Sequence, residues 1–332
     1  MNSNRLLSGS VAGLAWLLVA PGRILATEPE PPAPIPAFGA PSETTGPRQT
    51  IGTLLGNLTS PLNNETSGIA VSRRNRKWGE EVFWVHNDSG DGPFLYAISR
   101  DGDREAVVKL PVAKAVDWED MAWGPGPDGK GDFLYIGDIG DNNRSRTDCV
   151  VYRIAEPKLP DGLNLSSKEE PLPAQGTMIA RRFVYPDGPH DAETLLVHPR
   201  SGVVYLVTKE RNGLSSVYRF PPERAEDTEK AVTLVKVATL TVPEEFSLIP
   251  RQITGGSISP DGRRVAFCTY ASGYEMTLPA SATDFDAIWK TPLRPFNLPP
   301  LRQTEALCFA RDGRSVIVTS EGTGAPLYAV KR

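Results

Sequence analysis

Signatures of several familiar catalytic and binding classes are missing from this sequence. It contains no GxSxG elbow, no phosphate-cradling P-loop and no HExxH zinc motif. The three cysteines lie in apolar runs without a CxxC spacing, so we predict buried thiols. A disulfide between Cys268 and Cys308 is the alternative in an exported protein. No basic block accompanies the formal net charge of −4, which argues against nucleic acid as a partner.

An apolar run long enough to span a bilayer comfortably is also missing. Arg5 precedes a short apolar stretch, residues 11–20, and this pattern is typical of a secretory signal peptide ending near Ala26. We therefore predict a signal peptide over residues 1–26 and an exported protein, periplasmic or extracellular. An uncleaved membrane anchor is the alternative, because Ile24 is a poor small residue for a cleavage site.

Proline dominates the stretch after the predicted signal peptide. Residues 27–49 carry many prolines and few apolar side chains, so we predict an extended, solvated linker there. The folded domain is predicted over residues 50–332, and the protein is expected to be a monomer. The 30 glycines and 31 prolines of the whole chain suit many short strands joined by turns.

A short pattern recurs five times within the predicted domain. Each copy places a polar or small residue just ahead of an apolar run, at intervals of roughly 50 to 75 residues. The aligned residues are Ser67, Glu119, Glu193, Gly255 and Glu305. This self-similarity is typical of a β-propeller, so the predicted fold is all-β, a five-bladed β-propeller closed by an N-terminal strand.

The internal pattern of the repeats supports the same fold. Asp-Gly and Ser-Gly turns separate the first two strands of most units, as tight hairpins require. The last unit ends after three strands, and residues 51–55 are predicted to supply its fourth strand. Outer strands are predicted at 177–185 and 232–242, whereas residues 284–300 show no clear pattern.

The repeat positions predict a site at the mouth of the central channel, where the first strands of all blades converge. Glu119, Glu193 and Glu305 would meet there together with the hydroxyl of Ser67. Confined carboxylates raise one another's pKa unless a cation compensates, and oxygen ligands around a roomy site favour Ca²⁺ over Mg²⁺. The alternative is an ordinary ionic network with nearby cations, namely Lys209, Arg211, Arg251 and Arg302.

Loops between second and third strands are predicted to lie on the same face as this mouth. They hold far more charge, Asn and Gly than a hairpin needs, which is typical of a binding or catalytic rim. Arg144, Lys209 and Arg211 could hold an anionic group. Candidates for binding metal or activating water are Asp88, Asp138, Asp141 and Glu210. Simple turn chemistry remains the alternative for each loop, and His86 and His190 are expected to be structural.

The spacing of the repeat positions resembles the calcium-activated nucleotidase (apyrase) family. That resemblance implies a five-bladed propeller whose axial calcium is held by serine and glutamate at the start of successive blades. It assigns the metal to Ser67, Glu119, Glu193 and Glu305. The fourth blade departs from the pattern, because Gly255 occupies the aligned position; there a backbone carbonyl, Thr254 or Ser257 would have to serve.

Two sequence segments, residues 117–122 and 135–142, also resemble segments of a group of uncharacterised exported bacterial propellers. That group has been compared with phytase-like enzymes. This second resemblance implies phosphoester chemistry. The leading functional prediction is therefore a calcium-dependent hydrolase of a small anionic substrate, a phosphoester or phosphoanhydride, bound on the loop-rich face. The alternatives are a non-catalytic propeller that binds a carbohydrate, peptide or protein, and a lactonase or esterase.

Overall fold

Five mainly antiparallel sheets succeed one another along the chain and form a five-bladed β-propeller, as predicted. The computed structural model describes residues 51–77, 80–111, 113–161, 167–224, 230–244 and 251–332. The predicted signal peptide (1–26) and linker (27–49) lie outside this part of the chain. Among the residues described, no helix has the length and apolar character that crossing a bilayer demands.

Strands are numbered in chain order, and each blade is named by its place in the ring. Blade 1 contains β2 (Thr66–Lys77), β3 (Glu80–Asn87), β4 (Phe94–Ser99) and β5 (Glu105–Lys109). Blade 2 contains β6 (Trp118–Gly124), β7 (Phe133–Asp138), β8 (Val150–Ala155) and β10 (Met178–Val184). Blade 3 contains β11 (Ala192–Val197), β12 (Val204–Thr208), β13 (Leu214–Arg219) and β15 (Val235–Thr241).

The last two blades complete the ring. Blade 4 contains β16 (Ile253–Ile258), β17 (Arg264–Thr269), β18 (Ser272–Thr277) and β19 (Arg294–Asn297). Blade 5 contains β20 (Thr304–Phe309), β21 (Ser315–Ser320), β22 (Pro326–Lys331) and the N-terminal β1 (Thr53–Asn57). The predicted closure is confirmed, because β1 pairs antiparallel with β22, with Thr53 opposite Ala329.

The first strand of each blade is the innermost one. The inner strands β2, β6, β11, β16 and β20 contact one another in ring order. They run through the core, and every residue of β11 and β20 is buried. Both faces of an inner strand pack against neighbouring blades. This explains why the inner strands have continuous apolar runs instead of alternating apolar and polar residues.

The two ends of the propeller differ in their connections. One end, the turn face, has the tight turns after the inner strands, and their glycines adopt φ between 67° and 75°: Gly129, Gly202, Gly262 and Gly313. Glycine adopts this left-handed conformation without the steric cost of a Cβ atom. The other end, the loop face, carries the loops after β3, β7, β12, β17 and β21, which range from two residues after β17 to eleven residues after β7.

Short segments of one blade cover the outer edge of the preceding blade. Strand β9 (Leu172–Pro173), from the connection after β8, pairs parallel with β5, and β14 (Val232–Thr233) pairs parallel with β10. A 3₁₀ helix, Phe285–Lys290, contacts β15. The predicted single strand over 232–242 is therefore wrong: its start belongs to the edge of blade 2 and its remainder is β15 of blade 3.

A buried carboxylate ties blades 1 and 2 together near the turn face. Glu156, just after β8, is fully buried. Its Oε1 accepts hydrogen bonds from the Asn75 amide and the Trp84 indole N–H, both at 3.0 Å, and from the Ser72 hydroxyl. Its Oε2 accepts from the backbone N–H groups of residues 73 and 74 at 2.9 and 3.2 Å. These five donors satisfy the hydrogen-bonding capacity of the buried carboxylate.

All three cysteines are buried and unpaired, as predicted.

Candidate metal centre

Five carboxylates gather on the loop face where blades 1, 2 and 3 meet. Oxygen atoms of Asp88, Asp117 and Glu119 lie within 4.8 Å of one another, and so do those of Glu119, Asp191 and Glu193. Glu119 thus belongs to both groups. Together these five residues form the carboxylate cluster.

Two of the inner strands, β6 and β11, each place a pair of these carboxylates at the start of the strand. Asp117 and Glu119 stand two residues apart at the beginning of β6, and Asp191 and Glu193 stand two residues apart at the beginning of β11. Both strands have an irregular register at this point, between residues 118 and 120 and between residues 192 and 194. Such irregularities re-aim side chains beside a site.

A glycine lets the β7–β8 loop approach the cluster. A Cβ atom on Gly140 would lie 2.1 Å from Oε1 of Glu119 and 2.5 Å from Oδ2 of Asp117. Only glycine therefore fits without displacing these carboxylates. The same loop is fixed to the cluster by its backbone, since the N–H groups of Ile139 and Gly140 donate to the Asp117 carbonyl at 3.1 and 3.2 Å.

Burial and mutual repulsion raise the pKa of the clustered carboxyls. The pKa of Glu119 lies well above its usual range because of burial first, and then because of Glu193, Asp88 and Asp117. Burial, with Asp88 next, raises the pKa of Asp117 to about 6. Burial raises the pKa of Glu193 to about 8 although Lys209 opposes that shift. The cluster therefore favours protons or a bound cation over bare negative charge.

Side-chain cations neutralise only part of this charge. Lys209 Nζ forms an ion pair with Oε1 of Glu193. Oε2 of Glu193 is buried and has no hydrogen-bond partner among the residues described. The donor set consists of carboxylate oxygens alone, without histidine or cysteine, and this chemistry fits a hard cation such as Ca²⁺.

The structure separates the five repeat positions from one another. Glu119 and Glu193 lie in the carboxylate cluster, whereas the Ser67 hydroxyl donates to the backbone carbonyl of Glu119. Glu305 is buried and shares a hydrogen bond with Glu321; burial first, and then Glu321, raise the pKa of Glu305 to about 10. Ser67 and Glu305 thus both have protein partners beside the cluster.

Gly255 is explained by packing. A Cβ atom there would lie 2.0 Å from the carbonyl oxygen of Glu305 in the adjacent blade. The Gly255 carbonyl accepts from Cys268 Sγ at 3.7 Å, and the neighbouring Thr254 hydroxyl donates to the Thr304 carbonyl at 2.7 Å. Inner strands β16 and β20 come this close because the fourth blade has glycine at the aligned position.

Of the six predicted catalytic residues, Asp88 belongs to the cluster, Lys209 pairs with Glu193, and Asp141 donates its backbone N–H to Oδ1 of Asp191 at 2.9 Å. Asp138 is fully buried and accepts from the Asp117 backbone N–H at 3.1 Å and from Arg146 Nη2 at 2.7 Å. Asp141 accepts from the backbone N–H groups of Ser145 and Arg146 at 2.9 and 2.8 Å. Asp138 and Asp141 thus shape the loops that surround the cluster.

The other two predicted catalytic residues form a pair further out on the rim. Arg144 Nη2 lies 2.7 Å from Oε2 of Glu210, and half of the Arg144 side chain is exposed. Of the four cations considered as ionic partners, Lys209 pairs with the cluster and Arg251 pairs with Glu244 at 3.7 Å.

Both rim histidines have structural surroundings. His86 is buried with its Nδ1 atom 2.9 Å from the Asn87 carbonyl, and burial lowers its pKa to about 4. His190 Nε2 lies 3.1 Å from Oδ1 of Asp187 and 2.9 Å from the Tyr218 hydroxyl.

An open cleft of about 440 Å³ borders the cluster between blades 2, 3 and 4. Asp191 of the cluster lines this cleft, and so does Lys209, the ion-pair partner of Glu193. The remaining walls are polar: Asn142, Arg144, Glu210, Arg211, Asn212, Gln252 and Tyr270. A ligand in this cleft would contact cationic side chains and carboxylates together.

The raised carboxyl pKa values predict a pH dependence of stability. In metal-free protein, Asp117 and Glu193 keep protons up to about pH 6 and about pH 8, whereas the unfolded chain has already released them. Their contribution to the free energy of unfolding is therefore fully present at low pH and is lost as pH rises through these values. Thermal unfolding in EDTA should show a falling Tm over this range.

Calcium should reverse that trend, because a bound cation favours the ionised carboxylates. The Tm gain from calcium is then expected to grow with pH, and calcium binding near neutral pH should release protons, measured by titration calorimetry in two buffers of different ionisation enthalpy. A calcium effect that is the same at all pH values would contradict this prediction.

No family model and no curated protein matches the chain. Among solved structures, a chain of the nidogen–laminin complex is similar at 10% identity and a TM-score of 0.40, over 78% of this chain and 73% of its own. A gluconolactonase from Xanthomonas campestris is similar at 10% identity and a TM-score of 0.41, over 80% of this chain and 86% of its own. These distant likenesses assign neither a ligand nor an activity to this chain.

Proposed function

We propose that this propeller is a calcium-dependent hydrolase of a small anionic substrate, a phosphoester or phosphoanhydride. The observation that supports the proposal is the shared border between the carboxylate cluster and a cleft with cationic walls. Carboxylates hold a hard cation, and Arg and Lys side chains attract an oxyanion to the same place. Export from the cytoplasm remains a prediction that accompanies this proposal.

Within this proposal, each set of residues has its own task. The carboxylate cluster would hold the calcium ion, which when bound would polarise a phosphoryl oxygen or a water molecule. Arg144 and Lys209 would orient the anionic group and stabilise the charge that develops on it. Asp138 and Asp141 would act as positioning residues, since they hold the backbone around Asp117 and the β7–β8 loop.

The decisive experiment compares hydrolysis of several substrates with calcium and with EDTA. Phosphoester and phosphoanhydride substrates would be p-nitrophenyl phosphate, nucleoside diphosphates and phytate; an aldonolactone would test the lactonase alternative. We expect calcium-dependent phosphate release that is lost in Glu119→Gln. Asp128→Asn, which removes an exposed carboxylate from the turn face, is the matched control and should retain activity.

Other outcomes favour the alternatives. Calcium-dependent opening of the lactone without phosphate release would support the lactonase or esterase. Calcium binding without turnover of any substrate would support a propeller that binds a carbohydrate, peptide or protein on the loop face. The amide and aromatic side chains of the cleft, Asn142, Gln252 and Tyr270, are suited to such a polar ligand.

A further inference from the structure

We infer that Lys209 serves two sites in turn: it pairs with Glu193 until a divalent cation binds that carboxylate, and it then completes an oxyanion site in the cleft. This inference rests on the proposed function and adds to it a coupling between metal and anion. The anion is a phosphate or carboxylate group. The coupling would make the cleft bind its ligand well only when the carboxylate cluster holds metal.

The position of Lys209 supports a side chain that moves on a fixed backbone. It comes directly after β12, and its backbone N–H donates to the Asp191 carbonyl at 2.9 Å. Its ammonium group contacts Glu193 Oε1 and lies 5.7 Å from the centre of the Tyr270 ring. Four rotatable bonds separate that group from the backbone, so it can move while the chain stays fixed.

Glu193 cannot satisfy Lys209 and a divalent cation equally well. Only 3% of its side chain is exposed, and 13% of that of Lys209, so solvent screens their surroundings weakly. A divalent ion on Glu193 would bring a second positive charge next to the ammonium group, and like charges repel strongly in such a partly buried site. The unpartnered Oε2 atom of Glu193 gives the metal a second point of attachment.

The cleft provides space into which the Lys209 ammonium group can move. Lys209 already lines it, together with Arg211 and Arg144. Arg211 is exposed and takes part in none of the ion pairs among the residues described, while Arg144 is held by Glu210 at 2.7 Å. Two or three cations around one space bind a phosphate or carboxylate through charge-assisted hydrogen bonds. The released ammonium group would raise the positive charge there when metal is bound.

Thermodynamic linkage then sets a quantitative expectation. If metal binding frees Lys209 for the anion, the anion must tighten metal binding by the same factor. Coupling of this kind typically changes affinity by about 5-fold to about 150-fold. A direct bond between metal and anion would also couple them, but such a bond would not make Lys209→Met bind metal more tightly in the absence of the anion.

Calorimetric titration of EDTA-treated protein with calcium alone tests the competition. Lys209→Met should bind calcium about tenfold more tightly than the wild-type protein. Lys209→Arg should bind it more weakly, because a guanidinium holds a carboxylate through two parallel hydrogen bonds. Arg211→Met also removes one positive charge from the cleft, but from a side chain that forms no ion pair with Glu193. Its smaller effect on calcium affinity measures general electrostatics.

A second titration tests the oxyanion site with inorganic phosphate or acetate, each with and without calcium. The wild-type protein should bind the better anion about tenfold more tightly with calcium, and Lys209→Met should lose most of this gain. A preference for phosphate or for acetate identifies which group the cleft takes. A wild-type protein without calcium binding would overturn the metal centre and this inference together. Calcium binding that is unchanged in both Lys209→Met and Lys209→Arg would overturn the release of Lys209 alone.

Discussion

The Glu119→Gln protein should gain no thermal stability from calcium at concentrations that stabilise the wild-type protein. Glu119 is the one residue that belongs to both carboxylate groups, and 3% of its surface is exposed. Glutamine keeps its volume but removes the charge of the one ligand that the two carboxylate groups share. Loss of residues that merely support metal ligands costs about 10- to 100-fold in affinity, so loss of this shared ligand should cost at least about 100-fold.

Differential scanning of EDTA-treated and calcium-loaded protein provides the measurement. Because burial and neighbouring carboxylates already favour neutral Glu119, the metal-free variant should be as stable as metal-free wild type, or more stable. This expectation separates loss of metal from loss of fold. Asp128→Asn should keep the full calcium response. A Glu119→Gln protein with a normal calcium response would exclude the carboxylate cluster as the calcium site.

The second large effect is expected at the opposite end of blades 1 and 2, where Glu156→Ala should destabilise the fold by about 3–5 kcal/mol. The side chain accepts five hydrogen bonds, and alanine would remove the acceptor of the three buried donors, Ser72, Asn75 and Trp84. Each unsatisfied buried donor costs about 1–3 kcal/mol, and relaxation of the surrounding chain offsets part of the sum.

Urea denaturation followed by tryptophan fluorescence measures this loss, since the Trp84 indole is one of the donors. Glu156→Gln keeps a carbonyl acceptor and should lose less stability than Glu156→Ala. Both variants should retain calcium binding, because Glu156 lies at the end of blade 2 remote from the carboxylate cluster. Full stability in Glu156→Gln would show that packing, which glutamine preserves, and not the set of hydrogen bonds to both carboxylate oxygens, sets the contribution of Glu156.

Much of the propeller could be predicted because its inner strands leave a strong local pattern. Runs such as β11 are buried at every residue, and the turns after them need glycine at positive φ. Segments that pack on another blade leave no such pattern. Strand β9 has two residues and β14 has two, and their pairing with β5 and β10 depends on neighbours far away in sequence.

The candidate site could be predicted only in part. Repeat alignment singled out Glu119 and Glu193 because each lies just ahead of an apolar run. It missed Asp117 and Asp191, although both copies carry Asp two residues before the aligned Glu, a shared Asp-x-Glu signal. It also treated Glu305 as equivalent, and only the structure shows that Glu321 takes its carboxyl group instead. Side-chain direction and cross-blade partners decide these roles, and neither is local in sequence.

The composite fifth blade has a consequence for how the ring is made. Strand β1 is among the first parts of the domain to be synthesised, whereas its partner β22 is the last, and Asn57 bonds to a carbonyl 267 residues away. Pairing of two strands so distant in sequence is slow. Until β1 pairs with β22, its unpaired edge can associate with other chains. Leu54 of β1 is half exposed even after the sheet has formed. Ring closure, rather than the formation of any blade, should therefore limit the rate at which the native protein appears.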